Sequence, residues 1–411
     1  MDLENNKILS CKKCLYNSNH PLGLTFNADE ICSGCQIHLE KDSLNWNDRI
    51  KKLAKLIKPY RSKKNYYDCI VPVDGSHDSY FILHVVKKIL KLNPLLVTYN
   101  KYYNTEIGIK NLSNLRIKFD ADILFQNVNP DKVKKITKFT FTKYGNMYWH
   151  CIAGQTVFPV QISVKYKIPL IIWGAHQGIE QVGMFSYLDE VEMTRRYRKD
   201  HDLFGVEAED LVEAYNNLNL EDVNDYIYPS FNEINNIGTR GIYLNNYLRW
   251  DSKEQNELMI KKYGYNTSRL NRTFDKYEYI DCFNYMGIHD LLKFYKHGYS
   301  KVTDQATREI RFGRLKKKHA LTIVQYYQNQ NVSFDKEFCE WIGIEPDSLN
   351  LILNSFKKDF SYKNFFSTKA QYFQKNKHLI DRINKKFKLN QNKIYKNKDY
   401  IIFGKGHKNL V

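Results

Sequence analysis

The chain has 411 residues, 43% of them hydrophobic, and a formal net charge of +18. That is enough apolar residue to pack a core in two or three domains, which excludes a disordered chain. No apolar run reaches the roughly 18 residues of a membrane span, and the polar start at Asp2, Glu4 and Asn5 gives no secretory leader, so a cytoplasmic protein is expected. Roughly +13 of the charge falls after residue 300, in a Lys- and Asn-rich stretch that reads mainly as solvated surface; nucleic acid is not the expected partner.

In chain order, residues 1–60 form a four-cysteine module with a linking helix at 46–60. From 61 to 205 strands and helices alternate: strands at 69–73, 94–99, 122–125 and 169–173, helices at 79–92, 105–118, 131–144 and 155–167. That alternation predicts an α/β fold, a parallel sheet with helices on both faces. Residues 206–355 read as mainly helical and substrate-binding, with helices at 291–296, 303–312 and 316–327, and 356–411 as a basic tail. In such a sheet a ligand lies beyond the carboxyl ends of the strands, where the strand order reverses. Residues 74–79 and 174–178 occupy two such ends.

Cys11-Lys12-Lys13-Cys14 and Cys32-Ser33-Gly34-Cys35 stand seventeen residues apart. Two such knuckles offer four soft thiolates in tetrahedral array, the set of a structural zinc site, closed to substrate. His38 is close by but outside that set. Cys69, Cys151, Cys282 and Cys339 are isolated and read as reduced core thiols.

The turn Asp74-Gly75-Ser76-His77-Asp78-Ser79 joins a buried strand to a helix. The free N–H groups and positive dipole end of a helix start suit pyrophosphate; an ordinary corner in which Ser79 caps the helix is the alternative. Later, His289, Lys293 and Lys296 share one helix face beside Asp290. His289 and Asp290 are candidate catalytic groups there, and the lysines suit a sugar carboxylate or diphosphate. Arg308, Arg311 and Arg314 recur every third residue as candidates for a second anion clamp, or as surface charges paired to Glu309 and its neighbours. Glu180 and Glu106 are lesser candidates.

The turn resembles the pyrophosphate loop of N-type ATP pyrophosphatases, Ser-Gly-Gly-x-Asp-Ser. Gly75, Asp78 and Ser79 coincide with it, while Asp74 and Ser76 replace the first serine and second glycine; Asp74 then caps the turn or assists magnesium. The cysteine knuckles with Gly23-Leu24-Thr25-Phe26, Met147-Tyr148-Trp149-His150, Arg240-Gly241-Ile242-Tyr243-Leu244, Gly287-Ile288-His289-Asp290 and Glu309-Ile310-Arg311 resemble the N-acetyl sugar amidotransferases of bacterial surface-polysaccharide and flagellin-sugar biosynthesis, the WbpG and PseA type. After Trp173-Gly174 that family shows Glu-Asn-Pro where this chain has Ala175-His176-Gln177, which points to a subfamily acting on a different sugar.

The resemblance implies an ATP pyrophosphatase fold and an ATP-dependent enzyme that turns the acetamido group of a nucleotide-linked N-acetyl sugar into an acetamidino group through an adenylated intermediate. It implies ATP, Mg2+ and structural Zn2+ as cofactors. Asp74, Gly75, Ser76 and Ser79 would hold pyrophosphate, Asp78 would orient the loop or hold magnesium through water, and Gly174 and His176 would line the adenylate pocket. No cysteine sits in a Gly-x-Cys-x-Gly glutaminase setting, so ammonia would come from partners, a glutaminase and a cyclase-like barrel subunit. A tRNA-modifying ATP pyrophosphatase and a non-catalytic zinc module are the alternatives.

Overall fold

The computed structural model describes residues 8–62 and 66–358. The basic tail read at 356–411 therefore lies outside the described residues from 359 onward. Five strands form one sheet in the order β3-β2-β1-β4-β5. They are β1 (Cys69–Pro72), β2 (Pro94–Tyr99), β3 (Ile123–Gln126), β4 (Leu170–Trp173) and β5 (Arg240–Tyr243), and every pairing is parallel.

Alternate residues of a strand point to opposite faces, and here both faces are apolar. Cys69 and Val71 of β1 join Leu96, Leu170, Ile172 and Ile242 in one core layer. Helix α1 (Ser33–Ser43) belongs to the cysteine module; α2 (Trp46–Ile57), α3 (His77–Leu83) and α4 (Glu106–Phe119) cover the layer with Leu53, Ile57, Tyr80, Leu83, Leu115 and Phe119. Ile70, Leu95, Val97 and Ile171 face the other way, under Val157, Phe158, Val160 and Ile162 of a long helix, Trp149–Tyr166. Each such side chain taken fully out of water contributes about 1.5–3 kcal/mol; with both faces apolar the pattern fixes the burial of the sheet, and the register is that of the parallel backbone pairing.

Two elements differ from the sequence reading. The long helix begins at Trp149, not 155, because Trp149, His150, Cys151, Ala153 and Gly154 are themselves buried. A helix apolar on most sides loses the 3.6-residue stripe by which it would be recognised. Strand β5 lies in the stretch read as mainly helical. Arg-Gly-Ile-Tyr carries no apolar run, and it becomes a strand through its pairing with β4, Leu170 opposite Arg240 and Trp173 opposite Tyr243. The sheet therefore draws its edge from beyond residue 205. Helix α3 itself continues into a π turn at His84–Ile89.

Candidate functional site

The strand order reverses between β1 and β4: the chain leaves β1 toward β2 and β3, and β4 leads to β5 on the other side. Loops leaving their carboxyl ends part there and leave a crevice. A cavity of about 420 Å³ opens at this point, lined by Val73 beyond β1, by Asp74, Ser76, Asp78 and Ser79 of the turn, and by Trp173 and Gly174 at the end of β4. A Cβ on Gly174 would lie 2.9 Å from Ile82 and 3.4 Å from the Asp78 carboxylate, so a glycine lets the two strand ends close on one another.

The turn is held by its own first residue. Asp74 Oδ1 accepts from the Ser76 N–H at 2.9 Å and from Ser79 Oγ at 3.1 Å, while Ser79 Oγ accepts from the Asp74 N–H at 2.9 Å. Asp74 Oδ2 takes the Lys101 ammonium at 2.8 Å, and Lys101 also pairs with Asp281. Burial opposes the Asp74 charge, but Lys101 and these hydrogen bonds hold its carboxyl below the usual range. Asp74 thus caps the turn. Gly75 faces α4: a Cβ there would stand 2.0 Å from the Gly108 carbonyl oxygen, and the residue is absent from the lining of the large cavity.

His77 and Asp78 start helix α3 at the cavity wall. His77 Nε2 lies 3.3 Å from Asp78 and 3.8 Å from Glu278, and Nδ1 lies 2.8 Å from Ser76 Oγ. Burial disfavours the imidazolium, yet Asp78, Glu278 and the other nearby carboxylates raise its pKa overall. Burial pushes the Asp78 carboxyl up to about 6 against the pull of His77. Asp78 keeps 31% of its side chain open to solvent. Its hard oxygens beside Glu278 fit a magnesium ion carried by a triphosphate.

A second cavity of about 330 Å³ adjoins the first and shares Tyr148, Thr156, Trp173, Gln177, Tyr285 and Lys301 with it. His176, His289, Lys293 and Lys296 line this second space. His176 is therefore beside the loop cavity, not in it. Its ring is buried against Tyr197 at 4.3 Å and Tyr243 at 4.6 Å, and among the described residues neither ring nitrogen has a hydrogen-bond partner. Burial lowers its pKa to about 4. His289 is pushed well below the usual histidine range by burial and by Lys301, Lys293 and Lys296. At His176 and His289 burial thus disfavours the charged ring, and at His289 the neighbouring lysines add to it. Lys293 pairs with Asp304, and Lys296 donates to the Tyr144 carbonyl at 3.0 Å.

Other candidates are engaged elsewhere. Asp290 is wholly buried, paired to Arg272 at 2.7 Å and accepting from the Lys301 N–H; it lines neither cavity and anchors the start of the helix Lys301–Arg311. Arg308 lines the large cavity but grips Asp275 at 2.7 Å together with Glu278 and Glu309. Arg314 lines neither cavity, bridging Glu309 and Asp251. Arg311 donates to the carbonyls of Glu180 and Gln181 at 3.0 and 2.7 Å and approaches Cys32 Sγ at 3.8 Å. The three do not form one clamp, because buried carboxylates, carbonyls and a thiol take their donors. Glu180 lines the large cavity and there receives Lys41, whereas Glu106 is exposed in the first turn of α4.

Cys11, Cys14, Cys32 and Cys35 are buried with all four Sγ atoms within 4.8 Å of one another. Cys11 and Cys35 are 3.9 Å apart, Cys14 and Cys32 3.6 Å, close to the edge of about 3.8 Å that a tetrahedron of 2.3 Å zinc–sulfur bonds requires. The four fit a zinc ion. The module meets the site directly, since Tyr16, His38 and Arg311 line the large cavity and Tyr16 donates to Asp304 at 2.9 Å. His38 packs edge-on to Phe312 at 4.6 Å.

Sequence reasoning passed over Lys101, Glu278, Asp281, Asp304 and Lys301. Lys101 follows β2, so the strand-end rule that found the turn would also have found it. Glu278, Asp281 and Lys301 lie in stretches to which the sequence reading assigns no element, and Asp304 falls within the expected helix at 303–312 but in no motif that marks a site.

Residues 271–377 match the family described as LPS biosynthesis protein WbpG-like, C-terminal domain. This chain carries a WbpG-like C-terminal domain. The WbpG-like stretch supplies Glu278, Tyr285, His289, Lys293, Lys301, Asp304 and Arg308, one wall of both cavities. The chain is also 25% identical over 119 residues to an uncharacterized protein of Methanocaldococcus jannaschii, MJ1599, spanning 29% of this chain and 43% of that relative's length.

Proposed function

We propose that the protein is an ATP-dependent amidotransferase that converts the acetamido group of a nucleotide-linked N-acetyl sugar to an acetamidino group. The WbpG-like domain and its link to lipopolysaccharide biosynthesis support a sugar substrate. The observation that carries the reading is that the turn after β1 and Gly174 after β4 open on one cavity at the reversal of strand order, with a second, cationic cavity alongside.

ATP would lie in the larger cavity with its pyrophosphate against Ser76, Ser79 and the N-terminus of α3, and the sugar in the adjoining one. The amide oxygen forms a bond to the α-phosphorus as the bond to pyrophosphate breaks, and pyrophosphate leaves with the electron pair. Ammonia then adds to the imidoyl carbon, AMP departs with the former amide oxygen, and the proton ammonia sheds leaves with pyrophosphate. Magnesium, which Asp78 would hold, supplies charge neutralisation on the triphosphate. Ammonia is expected from a glutaminase partner.

Cys69, Cys151 and Cys282 are buried and line neither cavity, which speaks against sulfur transfer to tRNA. The test is to incubate the chain with ATP, magnesium, ammonium and a panel of nucleotide-linked N-acetyl sugars. AMP and a product with oxygen replaced by NH are expected by mass spectrometry; absence of both across the panel overturns the reading.

A further inference from the structure

The cations around the two cavities are almost all engaged. Lys101 pairs with Asp74 and Asp281, Arg308 with three carboxylates, and Arg198 with Glu207. Lys293 takes one oxygen of Asp304, and the Tyr16 hydroxyl takes the other. Lys301 is different. Among the described residues its ammonium has no ion-pair or hydrogen-bond partner, although it lines both cavities.

Its placement is built, not incidental. The backbone N–H of Lys301 donates to Asp290, which Arg272 fixes in the core. The ammonium stands 4.7 Å from the Tyr285 ring and 5.5 Å from the Tyr279 ring, and these rings stack at 3.9 Å. Aromatic faces orient a cation but leave most of its charge unbalanced. Asp304 lies near enough to feel the charge of Lys301, but its two oxygens are taken by Lys293 and Tyr16, so among the described residues the half-buried ammonium has no bonded counter-ion and suits an anion from the ligand.

We infer that Lys301 is a catalytic residue that binds the α-phosphate of the nucleotide at the wall shared by the two cavities. This rests on the proposed function. If the turn holds the pyrophosphate end of ATP and the sugar approaches from the second cavity, the α-phosphorus lies where the two spaces meet. There Lys301 would offset the charge that gathers on the phosphoryl oxygens as the amide oxygen attacks and pyrophosphate leaves.

The experiment compares AMP and adenosine binding to the full chain and to its Lys301→Met and Lys301→Arg variants by calorimetry. Methionine keeps the bulk of the side chain, and the ammonium makes no bond the fold depends on, so melting temperature should hold. AMP affinity is expected to fall at least tenfold in Lys301→Met and to be largely restored in Lys301→Arg, with adenosine affinity unchanged in both. Equal AMP affinity in wild type and Lys301→Met overturns the assignment while leaving the proposed function standing. Equal loss of adenosine and AMP binding in Lys301→Met also overturns it, since the lysine would then shape the cavity without touching phosphate. If the wild-type chain binds neither ligand, the ATP reading itself falls and the assignment with it.

Discussion

Asp78 shows how a carboxylate at the cavity wall is held at a cost to the fold. Burial lifts its carboxyl from the ordinary 3.8 to about 6, so the folded chain binds the proton more tightly than the unfolded chain. The stability this gives is present in full below about pH 4 and is lost as pH rises through 6. Replacing Asp78 by Asn removes that loss: the variant is expected to be more stable than wild type at pH 8 by about 1–2 kcal/mol and to match it at pH 4. Denaturant unfolding at both values checks this, and a variant less stable at pH 8 would refute it. AMP formation should be lost in the same variant, because the carboxylate proposed for magnesium is gone. Asp78 was legible from the turn motif. Asp290 stood as plainly in the sequence beside His289, yet only packing showed that its carboxylate points to Arg272 and the backbone of Lys301.

Among elements, the turn after β1 depends on the start of α4. Thr105 caps that helix by accepting from the Gly108 N–H at 3.0 Å, and the Gly108 carbonyl occupies the space a side chain on Gly75 would need. Gly75→Ala must push the turn off α4. We expect a destabilisation of about 1–3 kcal/mol and at least a tenfold loss of AMP formation, although no atom at the cavity wall has been removed. Normal turnover in a normally folded Gly75→Ala chain would show that the turn position does not matter. The glycine was visible as a motif position; its reason was not, because Gly108 in the first turn of α4 lies 33 residues away in the chain. Strand β5 makes the same point, being defined by its neighbour's backbone more than by its own side chains.

At the scale of the molecule, the cysteine module is part of the site wall. Tyr16 and His38 reach the large cavity, and Arg311 ties the thiol cluster to the segment after β4. The chain should contain one zinc per molecule by elemental analysis. Removal by a strong chelator is expected to lower the melting temperature and abolish AMP binding together, since a module this small is not held by its own core. Retention of both in the metal-free chain would refute the structural role. Local patterns in the sequence determined the parallel α/β core, the four-cysteine cluster and the turn, because short apolar runs, thiol spacing and turn residues each act over a few positions. Only the tertiary structure decided which charges were already paired, that His176 and His289 line a separate space, and that Lys301 stands between the two cavities with no ion-pair partner among the described residues. Ion pairing and cavity shape depend on residues brought together from distant parts of the chain, and no short-range pattern records them.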